Sequence, residues 1–248
     1  VVRRISAVCI SSLVVACAIS ALPATATAAT ERPVVVVAGT FGPAFFYEPL
    51  AGRLRADGRR VAVFQLTGLG TADIRVSARD LDRFVDNVRA AAGASQVDLV
   101  AHSQGGLVAR QYIKNEGGAR EVANLVNLSA PNRGTVVANI ADFFGGGDCL
   151  RIVACQQMKV GSTFLEGLNA GDDTVGAVRY TNLYTGFDAL VRPIDNARMS
   201  DGATNVLVQS QCPYRAVVHL GMPFDGAVYS GVQDALQGRQ ITLDCFRG

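Results

Sequence analysis

The run Pro33-Val-Val-Val-Val-Ala38 is apolar and β-branched without interruption over the length of a strand. A strand with one buried face alternates apolar and polar side chains, so an unbroken run must be covered on both faces. That requirement points to a parallel sheet with helices above and below, because parallel neighbours are joined by crossovers. The segments that follow supply them. Tyr47–Ala56 has leucines at helical spacing and stops at Asp57-Gly58, while Ala72–Ala92 carries Ile74, Leu81, Phe84, Val85 and Val88 on one face. Arg60–Leu66, Gln96–Ala101 and Val122–Leu128 read as strands, and Leu107–Lys114 as a helix. Further strands are expected at Val178–Thr185 and Asn205–Ser210, with a last helix at Gly226–Leu236. The expected fold class is α/β, a doubly wound, mostly parallel sheet with helices on both faces. The alternation breaks between Pro131 and Thr174, where no strand signal occurs; this stretch reads as a loop/helix insertion over one end of the sheet. With neither a repeat nor a separating linker, residues 29–248 read as a single domain.

The first 28 residues lie outside that pattern. Arg3 and Arg4 precede an apolar, small-residue stretch from Ile5 to Leu22, and Ala26-Thr27-Ala28 offers a cleavage site. This is the layout of a secretory signal peptide cut near Ala28. As a membrane anchor the stretch is diluted by Ser6, Ser11, Ser12 and Ser20. Val14-Val15-Ala16-Cys17 gives a lipoprotein variant, and the Arg3-Arg4 pair a weaker twin-arginine one. Cleavage removes two of the 23 basic residues and none of the 21 acidic ones, so the net +2 becomes formal neutrality. Without a basic run, nucleic acid is not an expected partner. Hydrophobic residues at 49% and charged residues at 18% exclude a disordered chain.

Cleavage also removes Cys9 and Cys17, leaving Cys149, Cys155, Cys212 and Cys245. An even number of cysteines in an exported chain reads as disulfides, with three connectivities open. Sequential pairing, Cys149 with Cys155 and Cys212 with Cys245, is preferred. Metal binding is the rival, but neither pair has a histidine or second cysteine at ligand spacing.

The segment Val97-Asp-Leu-Val-Ala-His-Ser-Gln-Gly-Gly-Leu-Val-Ala-Arg110 runs from an expected strand into an expected helix across Ser103. Ala101-His102-Ser103-Gln104-Gly105 fits the G-x-S-x-G nucleophile elbow with Ala in place of the first Gly. Small residues two before and two after the serine allow strand and helix to approach closely. The rival reading is a Ser-Gly turn in an inert fold. The chain has two histidines. His102 precedes the serine, and its side chain is expected to point away from the hydroxyl, which leaves His219 as the base. Folds with this elbow place the acid between serine and histidine in the chain. Asp188, Asp195 and Asp201 all fit that order. Asp188 follows the strand at 178–185 most closely; the other two sit in a polar segment where solvated carboxylates are ordinary. An oxyanion hole would use the amide of Gln104 and one from the loop after the first strand, Thr40 or, alternatively, Phe41. Phe41 otherwise reads as a wall of an acyl pocket, and Phe45, Phe46, Phe143 and Phe144 either as substrate-facing or as core.

Several segments resemble one family: Val36-Val-Ala-Gly-Thr-Phe-Gly42, Ala101-His-Ser-Gln-Gly-Gly106, Leu128-Ser-Ala-Pro-Asn-Arg-Gly-Thr135, Thr181-Asn-Leu-Tyr-Thr-Gly-Phe-Asp188, Asn205-Val-Leu-Val-Gln209, Cys212-Pro and His219-Leu. Together they resemble the extracellular lipases of the α/β-hydrolase superfamily, and most of all the actinobacterial and fungal lipase B-like group. Ala38 departs from the pattern, standing where many relatives have His, and so does the 131–174 segment. The resemblance implies a triad of Ser103, Asp188 and His219, an oxyanion pair of Thr40 and Gln104, and a Cys212–Cys245 bridge. It also implies a secreted ester hydrolase, expected as a monomer, that cleaves triglyceride or other medium- and long-chain esters in transient contact with a lipid–water interface. No cofactor and no metal are expected. Three rival readings stand beside it: a short-chain or polyester- and cutin-directed esterase, an acyltransferase, and a catalytically dead secreted binding protein on the same scaffold.

Overall fold

A computed structural model describes residues 1–2, 32–136 and 149–248. The stretch read as a signal peptide, the Cys17 lipoprotein variant, and Phe143 and Phe144 lie outside the described residues. Among the described residues the strands are β1 (Val34–Val37), β2 (Val61–Phe64), β3 (Val97–His102), β4 (Val122–Leu128), β5 (Arg179–Tyr184) and β6 (Thr204–Leu207). They form one sheet in the order β2-β1-β3-β4-β5-β6. Every neighbouring pair is parallel, with Val34 facing Val61 on one side and Asp98 on the other.

The helices are α1 (Glu48–Ala56), α2 (Ile74–Ala92), α3 (Gln104–Asn115), α4 (Val153–Gln157), α5 (Thr163–Asn169), α6 (Val208–Gln211) and α7 (Gly226–Gln237). Because side chains alternate along a strand, β1 feeds two cores. Val35 and Val37 join Leu99, Leu125, Leu81 and Leu107 under α2 and α3. Val34 and Val36 join Val100, Val126, Leu50 and Val232 under α1 and α7. All four valines are at most 1% exposed, which is why the run has no polar break. Each such side chain contributes about 1.5–3 kcal/mol by leaving water. Caps fix the helix ends: Asp73 accepts from the Arg75 amide ahead of α2, Asp225 from the Val228 amide ahead of α7, and Gly93 and Gly238 close both in the left-handed region.

Three features differ from the sequence reading. Helix α3 begins directly after Ser103 instead of at Leu107, since the chain turns from strand to helix in a single residue. The strand expected over 205–210 ends at Leu207 and gives way to the single turn α6, where Gln209 faces two loops and bonds both. The described part of 131–174, expected over one end of the sheet, packs along α2 and α3. Met158, Phe164, Leu165 and Leu168 enter the same core as Leu81 and Leu107. Gln157 accepts from the Ile74 amide and donates to Asp73 at the start of α2, and Lys114 at the end of α3 donates to three carbonyls of 168–172. Its strand content among the described residues is a lone bridge between Thr135 and Lys159. Both cysteine pairs are bonded sequentially, Cys149 to Cys155 and Cys212 to Cys245.

Candidate active site

The carboxyl ends of β1 and β3 meet where the strand order reverses, the position at which open α/β sheets form a crevice. Ser103 stands there between β3 and α3 with φ 54° and ψ −127°. A side chain held at such positive φ costs about 1–3 kcal/mol, supplied by the packing around it. That packing is close. A Cβ on Gly105 would lie 2.4 Å from the Ala38 carbonyl oxygen, and one on Gly106 2.4 Å from the Ala130 Cβ. Glycine at both positions lets α3 rest directly on the strand ends, and the Ser103 amide donates to the Leu128 carbonyl at 2.9 Å.

His219 arrives from the far side of the fold, at the start of a short 3-10 turn after β6. Ser103 Oγ donates to its Nε2 at 2.9 Å, and its Nδ1 donates to Asp188 Oδ2 at 2.7 Å. The other Asp188 oxygen accepts from the Leu190 and Val191 amides, both at 2.8 Å. Burial raises the pKa of this carboxyl, but the His219 and amide hydrogen bonds outweigh it and hold the group below the usual carboxylate range. Of the other two candidate acids, Asp195 is exposed in a 3-10 turn and Asp201 accepts from the Asp173 amide; Asp188 is the one in contact with His219.

Two residues to which sequence reasoning gave no role hold the acid and histidine loops together. Thr185 Oγ1 donates to the Val217 carbonyl at 2.7 Å. Gln209 accepts from the Gly186 amide and donates to the Arg215 carbonyl, each at 2.7 Å. Both lie in segments that carry the family resemblance, but nothing in their spacing reveals a tie across 23 to 32 residues. His102 is buried too, between the Tyr47 hydroxyl at 2.8 Å from Nδ1 and the His219 carbonyl at 3.1 Å from Nε2.

The expected oxyanion donors lie side by side. The Thr40 hydroxyl donates to the Gln104 side-chain oxygen, locking the loop after β1 onto the first residue of α3. Among the described residues no acceptor takes the Thr40 or Gln104 backbone amide. The Phe41 amide, the alternative donor, is committed to the Leu69 carbonyl at 2.8 Å. Phe41 instead lines an open cleft of about 540 Å³ with Phe46, Leu220, Ser103 and His219. Phe46 is steadied edge-to-face by Phe224 and Tyr47. Phe45 is exposed and does not line this cleft.

For a metal, the described residues offer one carboxylate group: Asp172, Asp173 and Asp201, with ligand oxygens within 4.8 Å of one another. Arg133 pairs with Asp173 at 2.9 Å, and the Asp173 and Ser200 amides donate into the group. These contacts tie the 172–174 turn to the 198–201 turn, and none of the three carboxylates lines the Ser103 cleft.

A serine on a strand–helix elbow, bonded to a histidine that a buried aspartate orients, at the carboxyl ends of a parallel sheet: this fold and site define the class of α/β hydrolases with a Ser-His-Asp constellation. The model of the alpha/beta hydrolase family matches residues 34–233, and the chain belongs to that family. It is 32% identical to a triacylglycerol lipase of Burkholderia plantarii over 136 residues, 52% of this chain and 37% of that protein. To a triacylglycerol lipase of Pseudarthrobacter phenanthrenivorans it is 33% identical over 119 residues, 45% of this chain and again 37% of the relative. The match therefore spans little more than a third of either curated relative. Among solved structures, Aspergillus fumigatus lipase B has the same fold with a TM-score of 0.74 at 21% identity, covering 86% of this chain and 53% of that one. A Bacillus licheniformis lipase in its mature form aligns with a TM-score of 0.61 at 18% identity, over 71% of this chain and 82% of that one.

Proposed function

We propose that this chain is a secreted serine ester hydrolase of the lipase type, acting through a covalent acyl-enzyme. The observation that carries the reading is the continuous hydrogen-bonded line from Ser103 Oγ through the His219 ring to Asp188. In the first step His219 Nε2 takes the Ser103 proton as the oxygen attacks the ester carbonyl, and the same proton passes to the departing alcohol. Water then attacks the acyl-serine, with His219 again as base, and releases the acid. Asp188 holds the Nδ1–H tautomer and stabilises the imidazolium that forms at each step. The Thr40 and Gln104 amides receive the carbonyl oxygen as it gains charge, which fixed dipoles do without reorganising.

The preference for water-insoluble or medium- and long-chain esters is supported by the apolar surface at the cleft. Phe41 and Leu220 are exposed and line the cleft with Ser103 and His219, and two further exposed residues adjoin them, Leu69, whose carbonyl takes the Phe41 amide, and Val218, next to His219 in the chain; this apolar surface fits a lipid–water interface better than bulk water. The triacylglycerol lipase relatives agree with that preference. Secretion is supported by the two disulfides, which persist in oxidising compartments.

The test pairs a serine-directed fluorophosphonate with p-nitrophenyl esters from acetyl to palmitoyl and a triglyceride emulsion. Expected are labelling of the folded protein that Ser103→Ala abolishes, and hydrolysis that extends to long chains and to the emulsion. Absence of labelling of the wild type would end the hydrolase reading. A peak at acetyl or butyryl esters with no emulsion activity would replace the lipase by a short-chain or polyester-directed esterase.

A further inference from the structure

We propose that Tyr47 and His102 form a positioning relay that joins the loop bearing the Thr40 amide to the backbone of His219, so that the oxyanion side and the base side of the site keep a fixed spacing. The proposal rests on the hydrolase reading and adds to it a residue pair outside the Ser103–His219–Asp188 line. Each bond of the relay has a direction that chemistry dictates. The Gly39 amide donates to the Tyr47 hydroxyl oxygen at 2.7 Å. The His219 carbonyl is an acceptor only, so His102 Nε2, 3.1 Å away, carries the ring proton. In a neutral imidazole that leaves Nδ1 with a lone pair, and the Tyr47 hydroxyl donates to it at 2.8 Å. The sequence Gly39 N–H, Tyr47 O–H, His102 Nε2–H, His219 C=O thus runs one way with no proton left to choose.

The surroundings keep it that way. Tyr47 and His102 are buried, and a Cβ on Gly39 would lie only 3.1 Å from His102 Nδ1, so glycine there leaves the ring room against the loop. Burial, with the neighbouring His219 ring, pushes the His102 pKa down to about 3, against the opposing pull of the His219 carbonyl and Asp188. Burial also raises the Tyr47 hydroxyl to about 12. The relay therefore keeps its protons across the range in which an ester hydrolase works. Its neutrality matters because the two imidazoles are 5.0 Å apart: a charged His102 would oppose the imidazolium that His219 becomes in each transition state. Fixed spacing matters because His219 sits on a short turn between the exposed Val218 and Leu220, far in sequence from the oxyanion loop it must face.

A buried histidine bonded on both sides can also be core and nothing more, and the experiment separates the two. The chain has two histidines, so ¹⁵N-histidine NMR of the whole protein reads both rings individually. Expected is one ring held as the neutral Nε2–H tautomer from pH 8 to pH 4, and a displacement of the other ring's resonances by Tyr47→Phe. With a soluble p-nitrophenyl ester, Tyr47→Phe is expected to lower kcat about tenfold with little change in KM, measured well below its melting temperature. His102→Gln, whose amide can accept from Tyr47 and donate to His219, should retain more of kcat than His102→Leu. The relay is overturned if Tyr47→Phe lowers only the melting temperature while kcat and the His219 resonances stay as in the wild type. Equal kcat in the Gln and Leu variants overturns it as well. A wild type that hydrolyses no ester defeats the hydrolase reading alone, because the NMR arm still decides whether Tyr47 and His102 position the His219 ring.

Discussion

The half of the sheet that carries Ser103 and the half that carries Asp188 and His219 are held by different forces. Around β2, β1 and β3 the contacts are mostly apolar and close, with valines on both faces and glycines where α3 meets the strand ends; the exception is the buried Asp98 of β3, which accepts from Arg32, Arg59 and Asn124. Across β4, β5 and β6 runs a ladder of amides. Asn127 Nδ2 donates to Asn182 Oδ1 and Asn182 Nδ2 to Asn205 Oδ1, both at 2.9 Å, and Asn132 Nδ2 joins Asn182 Oδ1 at 3.0 Å. Beyond the strand ends Thr185, Gln209 and the Cys212–Cys245 bridge continue the pattern. The elbow that presents Ser103 is written in six consecutive residues, Ala101–Gly106, and rests on the neighbouring strand ends at Ala38, Leu128 and Ala130, whereas Asp188 and His219 are joined by ties between loops dozens of residues apart. The first device is mostly local; the second depends on each of its members.

The largest expected effect concerns the two disulfides. In the chain-entropy model, losing the Cys212–Cys245 bridge, which spans 33 residues, costs about 3–4 kcal/mol, and losing Cys149–Cys155, which spans six, about 2 kcal/mol. Paired Cys→Ser variants compared by urea unfolding measure this. If the distributed half depends on its bridge for geometry, ester hydrolysis by the protein reduced at Cys212–Cys245 should fall at urea concentrations below global unfolding. Simultaneous loss of activity and fold would show that the bridge contributes stability alone.

Next come single substitutions, one in each half. Asn182→Leu takes a shared partner from Asn127, Asn132 and Asn205, and is expected to cost about 2–3 kcal/mol. Gly105→Ala pushes a Cβ onto the Ala38 and Val37 carbonyls and is expected to cost about 1–3 kcal/mol. The two sites share no partner, so their losses should add in the double variant to within about 0.5 kcal/mol. A larger discrepancy in chemical denaturation would mean that the halves are not separate.

The smallest effect concerns acid. Because the folded-state pKa of Asp188 lies below its unfolded value, this carboxylate stabilises the fold above the ordinary carboxylate range. That contribution is lost as pH falls through the folded value. Asp188→Asn should flatten the acid limb of a stability–pH curve; an unchanged limb would deny Asp188 its part in the acid dependence.

How much of this was legible in the sequence follows the same division. Val34–Val37 announces a doubly covered strand, and Ala101–Gly106 announces the elbow, because both are contiguous and their patterns have few alternative uses. For the acid the sequence favours Asp188 over Asp195 and Asp201 by its place after the strand, and the contact of Asp188 with His219 forms only when β5 and β6 pair and bring the loops together. The sequence offers the Thr40 amide first and the Phe41 amide as its alternative; the Leu69 carbonyl, 28 residues on from Phe41, takes the Phe41 amide and so supports Thr40. The packing of 149–170 onto α2 and α3 was hidden because its apolar residues fall in short turns without a sustained period. His102 was read as turned from the serine, but its bonds to Tyr47 and His219 had no local sign.

By itself, then, the sequence determined the layers, the position of the serine on its elbow and the identity of the lone remaining histidine, since backbone preference, side-chain periodicity and residue scarcity act within a few neighbouring positions. Only the tertiary structure brought Asp188 to that histidine, left the Thr40 and Gln104 amides without an acceptor among the described residues, and bonded Tyr47 and His102 between Gly39 and the His219 carbonyl. Hydrogen bonds are short and directional, and partners separated by dozens of residues come into register only when the packed sheet sets their distance.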